Sequence, residues 1–159
     1  MNKLIVTLML ALAGFAGVQA QSDMFQKLGD NKDITVVYIS KALLGLAGNM
    51  DVGNSDVKNL AGKLTMLEIY SADKPEAVKM MKKEAEKLLA GGSGMETLMK
   101  VKEGNNNVSF VARRGADNRI KELLMVSLEP DECSIMRFLG DFTMDDIEKI
   151  TKSDSKDNQ

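Results

Sequence analysis

The sequence has no histidine and no tryptophan, and only one cysteine among its 159 residues. The absence of histidine removes the commonest general base and the imidazole metal ligand, so Ser-His and Cys-His catalysis and most zinc sites are excluded. Cys133 cannot form an intrachain disulfide, and no histidine is present to activate its thiol. We interpret Cys133 as a small apolar residue of a strand, with an interchain disulfide as the open alternative.

A strong charge imbalance is also lacking, because 21 basic residues are matched by 23 acidic ones, for a net charge of −2. Nucleic-acid binding usually needs a strongly basic surface. Short acidic clusters occur at residues 73–76, 129–132 and 143–148, but none has the ligand spacing and glycine of a calcium loop. The sequence therefore predicts no nucleic-acid partner, no metal and no cofactor, and the 12 methionines are interpreted as adaptable core residues.

Residues 1–20 have the pattern of a secretory signal peptide. Lys3 supplies the positive charge, an apolar run extends from Leu4 to Val18, and small residues end at Ala20. The run is too short to span a bilayer, so a membrane anchor is not predicted. The mature chain is expected to begin at Gln21, to carry no transmembrane segment, and to be exported to the periplasm or the cell surface.

Changes in hydrophobic period predict the order of elements along the rest of the chain. After a short helix or ordered arm, the order is strand, helix, strand, helix, a four-strand meander and a short helix. The predicted strands are residues 34–40, 64–71, 95–104, 108–114, 119–128 and 133–142. Strands joined by tight turns are antiparallel. We therefore predict one α+β domain at residues 21–151, with a mainly antiparallel sheet, helices on one face, and a disordered polar tail at 152–159.

Three helices have predicted details that the structure can test, and one of them is the last helix, where Thr143 and Asp146 are predicted to form a capping box. In the helix after the first strand, Ala42, Leu43, Leu46 and Ala47 share the apolar face. In the helix that begins at Pro75, Asp73 is predicted to be the N-cap.

Four cations surround a predicted hairpin turn at residues 115–118. Arg113 and Arg114 should lie on opposite faces of one strand, while Arg119 and Lys121 share a face of the next. Such a cluster could bind phosphate, a sulfated glycan or an acidic protein surface. The alternative is a hairpin with a solvent-exposed tip, whose charges keep the sheet soluble and discourage edge pairing.

Glu122 shares a predicted strand face with Leu124 and Val126. A carboxylate on a buried face needs a cation. An ion pair near the end of the sheet is the first interpretation, and a functional carboxylate is the alternative. The candidate partners are Lys100, Lys102, Arg113 and Arg137. Together the candidate binding residues are Arg113, Arg119, Lys121, Glu122 and Arg137, and no catalytic residue is predicted.

Three segments carry a resemblance to a known family: "VVYISKALLGLAG", "LTMLEIYSA" and "KELLMVSLEPDECSIMRFLGDFTMDDIEKI". The ordered features are Ser40–Lys41, Glu122–Leu123, Gly140, and the helix start at 145–147. Over residues 21–151 the chain resembles the exported Bacteroidetes proteins of domain of unknown function 4252. The resemblance implies an exported envelope protein and no assigned activity. Many such proteins resemble lipoproteins, but this chain has no cysteine at the cleavage site for a lipid anchor.

Three hypotheses about function follow from these patterns. The first is an exported, non-catalytic binding or interaction protein whose ligand is a protein or an envelope component. Both faces of strand 119–128 are apolar, so the sheet face without helices is the expected binding surface. The second is a regulatory component of envelope signalling. The third is a hydrolase that uses carboxylates without histidine, which would require a pocket where two acidic groups converge.

Overall fold

The computed structural model describes residues 22–49, 55–91 and 93–153. In chain order the elements are α1 (22–29), β1 (Thr35–Ser40), α2 (Lys41–Asn49), α3 (Ser55–Lys63), β2 (Leu64–Ala72), α4 (Pro75–Leu89), β3 (Glu96–Glu103), β4 (Asn106–Arg114), β5 (Ile120–Leu128), β6 (Cys133–Phe142) and α5 (Met144–Ser153). The predicted signal peptide and residues 154–159 lie outside the described residues. Helix α5 continues to Ser153, so residues 152 and 153 are helical and do not belong to the predicted tail.

The six strands form one antiparallel sheet in the order β1-β2-β6-β5-β4-β3. Strands β3 to β6 form the predicted meander, and β2 joins it beside β6. The α+β fold class is therefore confirmed, and the strand bounds differ from the predicted ones by only a few residues.

One sheet face, called here the α4 face, packs against α1 and α4. The strand register places Tyr70, Ile135 and Val126 side by side on this face. They are buried beneath the apolar side of α4 and the predicted apolar side of α1. The helix residues in this core are Met24, Phe25, Leu28, Ala77, Val78, Met81, Ala85 and Leu88.

The opposite face, called here the cleft face, carries a second and smaller core. Its strand residues include Leu67, Phe138 and Leu123, which are neighbours in the register. Leu44 of α2, Leu60 of α3 and Ile147 of α5 pack against this core. The prediction that the helices cover one face is thus wrong in this detail. Because both faces of β5 are apolar, each face of the sheet requires its own cover.

Two local predictions are also corrected. In α2 the buried residue is Leu44, while Leu43 and Leu46 are exposed, so the helix turns another side to the sheet. The N-cap of α4 is Lys74, which has an extended backbone and makes no side-chain cap hydrogen bond. Pro75 occupies the first turn and restricts the residue before it to extended conformations, so the helix start is set by the backbone.

A close approach of the backbone joins α3 to β6. A Cβ atom at Gly140 would collide with the carbonyl oxygen of Lys63 and would lie 2.6 Å from Cε1 of Phe142. Only glycine allows the end of α3 to sit against β6 in this way. This contact fixes the position of α3 over the cleft face.

Candidate functional site

The structure divides the five predicted binding residues into two groups. Arg113, Glu122 and Arg137 meet on the α4 face with Glu68, and these four residues are called here the charge ladder. Nε of Arg137 donates to Oε1 of Glu122 at 2.6 Å, and Nε of Arg113 donates to Oε2 at 3.2 Å. Nη1 of Arg137 donates to Glu68 at 2.9 Å. The ion-pair interpretation of Glu122 is confirmed.

The charge ladder is covered by aromatic residues. Arg137 lies over the ring of Phe25 at 4.3 Å from its centroid, a cation–π contact with α1. Burial lowers the pKa of Arg137, but the neighbouring carboxylates of Glu122 and Glu68 together raise it by more than burial lowers it. The net shift of the pKa is therefore upward. Burial, with the adjacent Glu68, raises the pKa of Tyr70 to about 12. The ladder is therefore a neutral network, whose arginines are paired with its own carboxylates, rather than an open anion site.

Arg119 and Lys121 lie outside the charge ladder, at the hairpin. Both bind Oδ1 of Asp141, at 2.8 Å and 2.7 Å respectively, and the Lys121 ammonium also binds Asp117 at 2.9 Å. The predicted hairpin turn is present, with Asn118 at φ 62°. The anion-binding role of these cations stays a prediction, and their internal carboxylate partners favour the alternative, a hairpin with a solvent-exposed tip.

Cys133 is fully buried in the core of the α4 face. Burial raises the pKa of its thiol to about 11, so the thiolate is scarce at neutral pH. The interpretation as a small apolar strand residue is confirmed, and an interchain disulfide would require the core to open.

The cleft face holds the best candidate for a ligand site. Between the sheet and helices α3 and α5 lies a cleft of about 480 Å³, called here the apolar cleft. Eleven of its twelve lining residues are apolar, and Glu148 is the one charged residue. The apolar members are Leu60, Leu64, Leu98, Met99, Phe110, Leu123, Met125, Phe138, Phe142, Met144 and Ile147. Its volume and lining are typical of binding pockets.

The two helical walls of the apolar cleft are held together by one polar cluster. The Lys63 ammonium at the end of α3 donates to Oδ1 of Asp146 at 2.6 Å. Oδ2 of Asp146 accepts from the backbone N–H and the hydroxyl of Thr143, and this hydroxyl accepts from the backbone N–H of Asp146. This is the predicted capping box of α5. The Lys63 ammonium, together with the N–H of Thr143, lowers the pKa of Asp146 to about 2.

The side chains at the rim of the apolar cleft are adaptable. Met99 on β3 and Met144 on α5 are 44% and 41% exposed. Methionine has three rotatable bonds and a polarisable sulfur, which suits surfaces that must fit variable apolar partners. Phe110, Phe138 and Phe142 supply a rigid aromatic floor. The arrangement can bind an apolar group, and it contains no pair of carboxylates.

The predicted binding surface, a sheet face without helices, is wrong, because helices pack on both faces of the sheet. The two apolar faces of β5 predicted an apolar surface, but the cleft residues come from seven elements, and their convergence depends on the position of α3. Gly140 and the capping box at Thr143 were the available signals, since they fix the two helical walls.

A second depression of about 480 Å³ lies along the outer side of α4. It is lined by Lys79, Lys82, Lys83, Glu86 and Asp131, among others. Both lysines and carboxylates line it, which is typical of a solvated helix surface. It makes a weaker candidate than the apolar cleft.

Two general features of the described ranges bear on function. No helix in them combines the length and apolar character needed to cross a membrane. Within the same ranges, no three Cys, Asp or Glu side chains are grouped so that they could hold a metal ion.

Comparison with known proteins gives a family and no activity. No curated protein and no solved structure matches the chain. One family model matches residues 25–150, from α1 into α5, and so covers most of the sequence. The chain therefore belongs to the family described as domain of unknown function (DUF4252).

Proposed function

We propose that this protein is an exported, non-catalytic binding protein whose apolar cleft holds an apolar helical segment of a partner protein. The observation that carries the proposal is the cleft itself: eleven apolar residues around about 480 Å³, with one charged residue among the twelve that line it. An exposed apolar surface of this kind costs solubility unless it serves binding.

The width of the cleft favours a helix over a single acyl chain. The cleft extends from Met99 on β3 to Phe138 on β6, which are three strand spacings apart in the sheet. At about 4.8 Å per spacing this is roughly 14 Å. A helix with its side chains is about 10–12 Å wide and would cover such a cleft with one apolar face. A single acyl chain is much narrower and would leave part of the floor in water.

The positions of the carboxylates support a non-catalytic role. Glu122, the acid considered for hydrolysis, lies on the α4 face, on the other side of the sheet from the cleft. Both of its oxygens accept hydrogen bonds from arginines. Glu148 is the one carboxylate that lines the cleft, whereas general acid–base hydrolysis needs two converging groups.

Export is supported by residues 1–20, which have the charged, apolar and small-residue regions of a signal peptide. N-terminal sequencing of the protein purified from its native cells should give Gln21 as the first residue. A chain that still begins at Met1 would contradict this part of the proposal.

Binding can be measured with a labelled amphipathic peptide of leucine and lysine, followed by fluorescence anisotropy. The protein should bind the peptide, and Met99→Glu or Met144→Glu should weaken binding roughly tenfold or more, because each places a charge at the apolar rim. Both positions are well exposed, so the variants should retain the fold.

The matched control is Leu43→Glu, the same type of change at an exposed apolar residue of α2 outside the cleft. This variant should bind the peptide like the unmodified protein. A labelled fatty acid serves as the competing ligand. Two results would overturn the assignment of the cleft as a helix-binding site. One is binding of the fatty acid with no binding of the peptide, and the other is a loss of peptide binding in Leu43→Glu as large as that in Met99→Glu or Met144→Glu.

A further inference from the structure

The two edge strands of the sheet differ in their protection against pairing. Strand β3 carries four charged residues, at 96, 100, 102 and 103, which is the usual protection of an exposed edge. Strand β1 has the sequence TVVYIS and carries no charge, no proline and no glycine. Strand β1 lies at one edge of the sheet, where β2 is its neighbour. One edge is thus protected and the other is not.

The side chains of β1 are exposed on both faces. Val36, Val37 and Tyr38 are 40%, 43% and 60% exposed. The register places Val36 and Tyr38 on the α4 face and Val37 on the cleft face. Every antiparallel edge strand also presents a row of backbone N–H and C=O groups outward, and within the described ranges no strand pairs with this row.

We propose that β1 pairs with β1 of a second copy of the chain, antiparallel and about a two-fold axis. The two sheets then join into one continuous sheet of twelve strands. The inference is independent of the apolar cleft, which is built on β3 to β6 and on α3 and α5. The dimer would leave both clefts open.

Symmetry restricts the register of this pairing. Opposed residue pairs alternate between hydrogen-bonded and non-hydrogen-bonded types along an antiparallel ladder. A two-fold axis makes the pair formed by residue i of one copy and residue j of the other equivalent to the pair formed by residue j and residue i. If adjacent residues were opposed, two successive pairs would therefore be equivalent, although successive pairs must differ in type. One residue must therefore face its own copy, and the candidates near the middle of β1 are Val36, Val37 and Tyr38.

Charge favours Val37 as the central residue. Asp33 precedes the strand and Lys41 follows it, each four positions from Val37. With Val37 opposite its copy, Asp33 of one chain comes near Lys41 of the other at both ends. The same register sets Val36 opposite Tyr38, and pairs of β-branched and aromatic side chains stabilise sheets. These features are self-complementary, which favours a second copy over an unrelated partner.

Sedimentation-velocity centrifugation of the mature chain over a range of concentrations tests the proposal. The unmodified protein should dimerise reversibly. Val37→Lys should raise the dimer dissociation constant roughly tenfold or more, because two like charges become opposed at the axis. Val37 is well exposed, and far-UV circular dichroism should show an unchanged fold.

Mixing Val37→Lys with Val37→Glu tests the register. Opposite charges at the axis should restore a heterodimer from two variants that are monomeric alone. The control Val101→Lys changes an exposed valine of the other edge strand and should leave the dimer intact. A monomeric unmodified protein, a dimer that only Val101→Lys dissociates, or a mixture that stays monomeric would each overturn the proposal.

Discussion

The charge ladder should make Glu122→Gln one of the most destabilising conservative changes in the chain. The side chain of Glu122 is 7% exposed, and those of Arg113 and Arg137 are 19% exposed. Glutamine preserves the shape but removes the negative charge. Arg137 would retain Glu68, while Arg113 would lose its carboxylate partner Glu122. Nη2 of Arg113 is already buried without a hydrogen-bond partner among the described residues.

The magnitude follows from the burial of the ladder. Removing one member of a buried ion pair costs about 3–5 kcal/mol, because the other charge stays buried without compensation. The arginines here keep some contact with water, so the expected loss in the free energy of unfolding is about 2–3 kcal/mol. For a domain of this size such a loss lowers Tm by roughly 10 °C.

Urea unfolding followed by far-UV circular dichroism measures this loss without needing a tryptophan. The matched control is Glu96→Gln on β3, where Glu96 contacts Arg114 at 2.7 Å but is 48% exposed. An exposed pair contributes less than about 1 kcal/mol. If Glu122→Gln destabilises the protein no more than Glu96→Gln does, the ladder contributes no more than an exposed ion pair, and the reasoning is refuted.

Three further predictions concern other parts of the fold. The pKa of Asp146 is about 2 in the folded protein, below its usual 3.8, so its carboxylate stabilises the fold above pH 4 and loses this effect as the pH falls to 2. Asp146→Asn should flatten the dependence of stability on pH in that window, as measured by urea unfolding at each pH. Iodoacetamide at pH 8 should label Cys133 roughly 100-fold faster in urea than in buffer, because burial raises the pKa of the thiol to about 11; equal rates would contradict its burial. Gly140→Ala should lower Tm because its Cβ meets the backbone of Lys63, whereas Gly62→Ala, with open space in α3, should raise Tm slightly.

The sequence predicted the order and type of nearly every element because these depend on local patterns. Strand β6 has the predicted bounds, and the capping box at Thr143 begins α5 as expected. Two of the four candidate partners of Glu122, Arg113 and Arg137, contact it, since alternation along strands places these residues on one face. Lys100 and Lys102, the other two candidates, lie on β3, two strands away from Glu122.

The sequence did not predict which helices cover which face. A period of two assigns residues to two faces but does not tell which face meets a given helix. The register also shifts between Thr97 and Met99 and between Ile120 and Glu122, which breaks the alternation at the cleft. In α2, apolar residues occur on more than one side, so Leu44 and Leu43 could not be distinguished by periodicity alone.

The charge ladder also bears on how the chain finds its native strand pairing. In most sheets a one-residue slip is rejected because it turns apolar side chains to water. Strand β5 is apolar on both faces, so this penalty is weak for it. A slipped β5 would instead carry Glu122 to the other face and leave Arg113 and Arg137 facing each other across the gap. The ladder thus supplies the selectivity for strand register that hydrophobic burial lacks here.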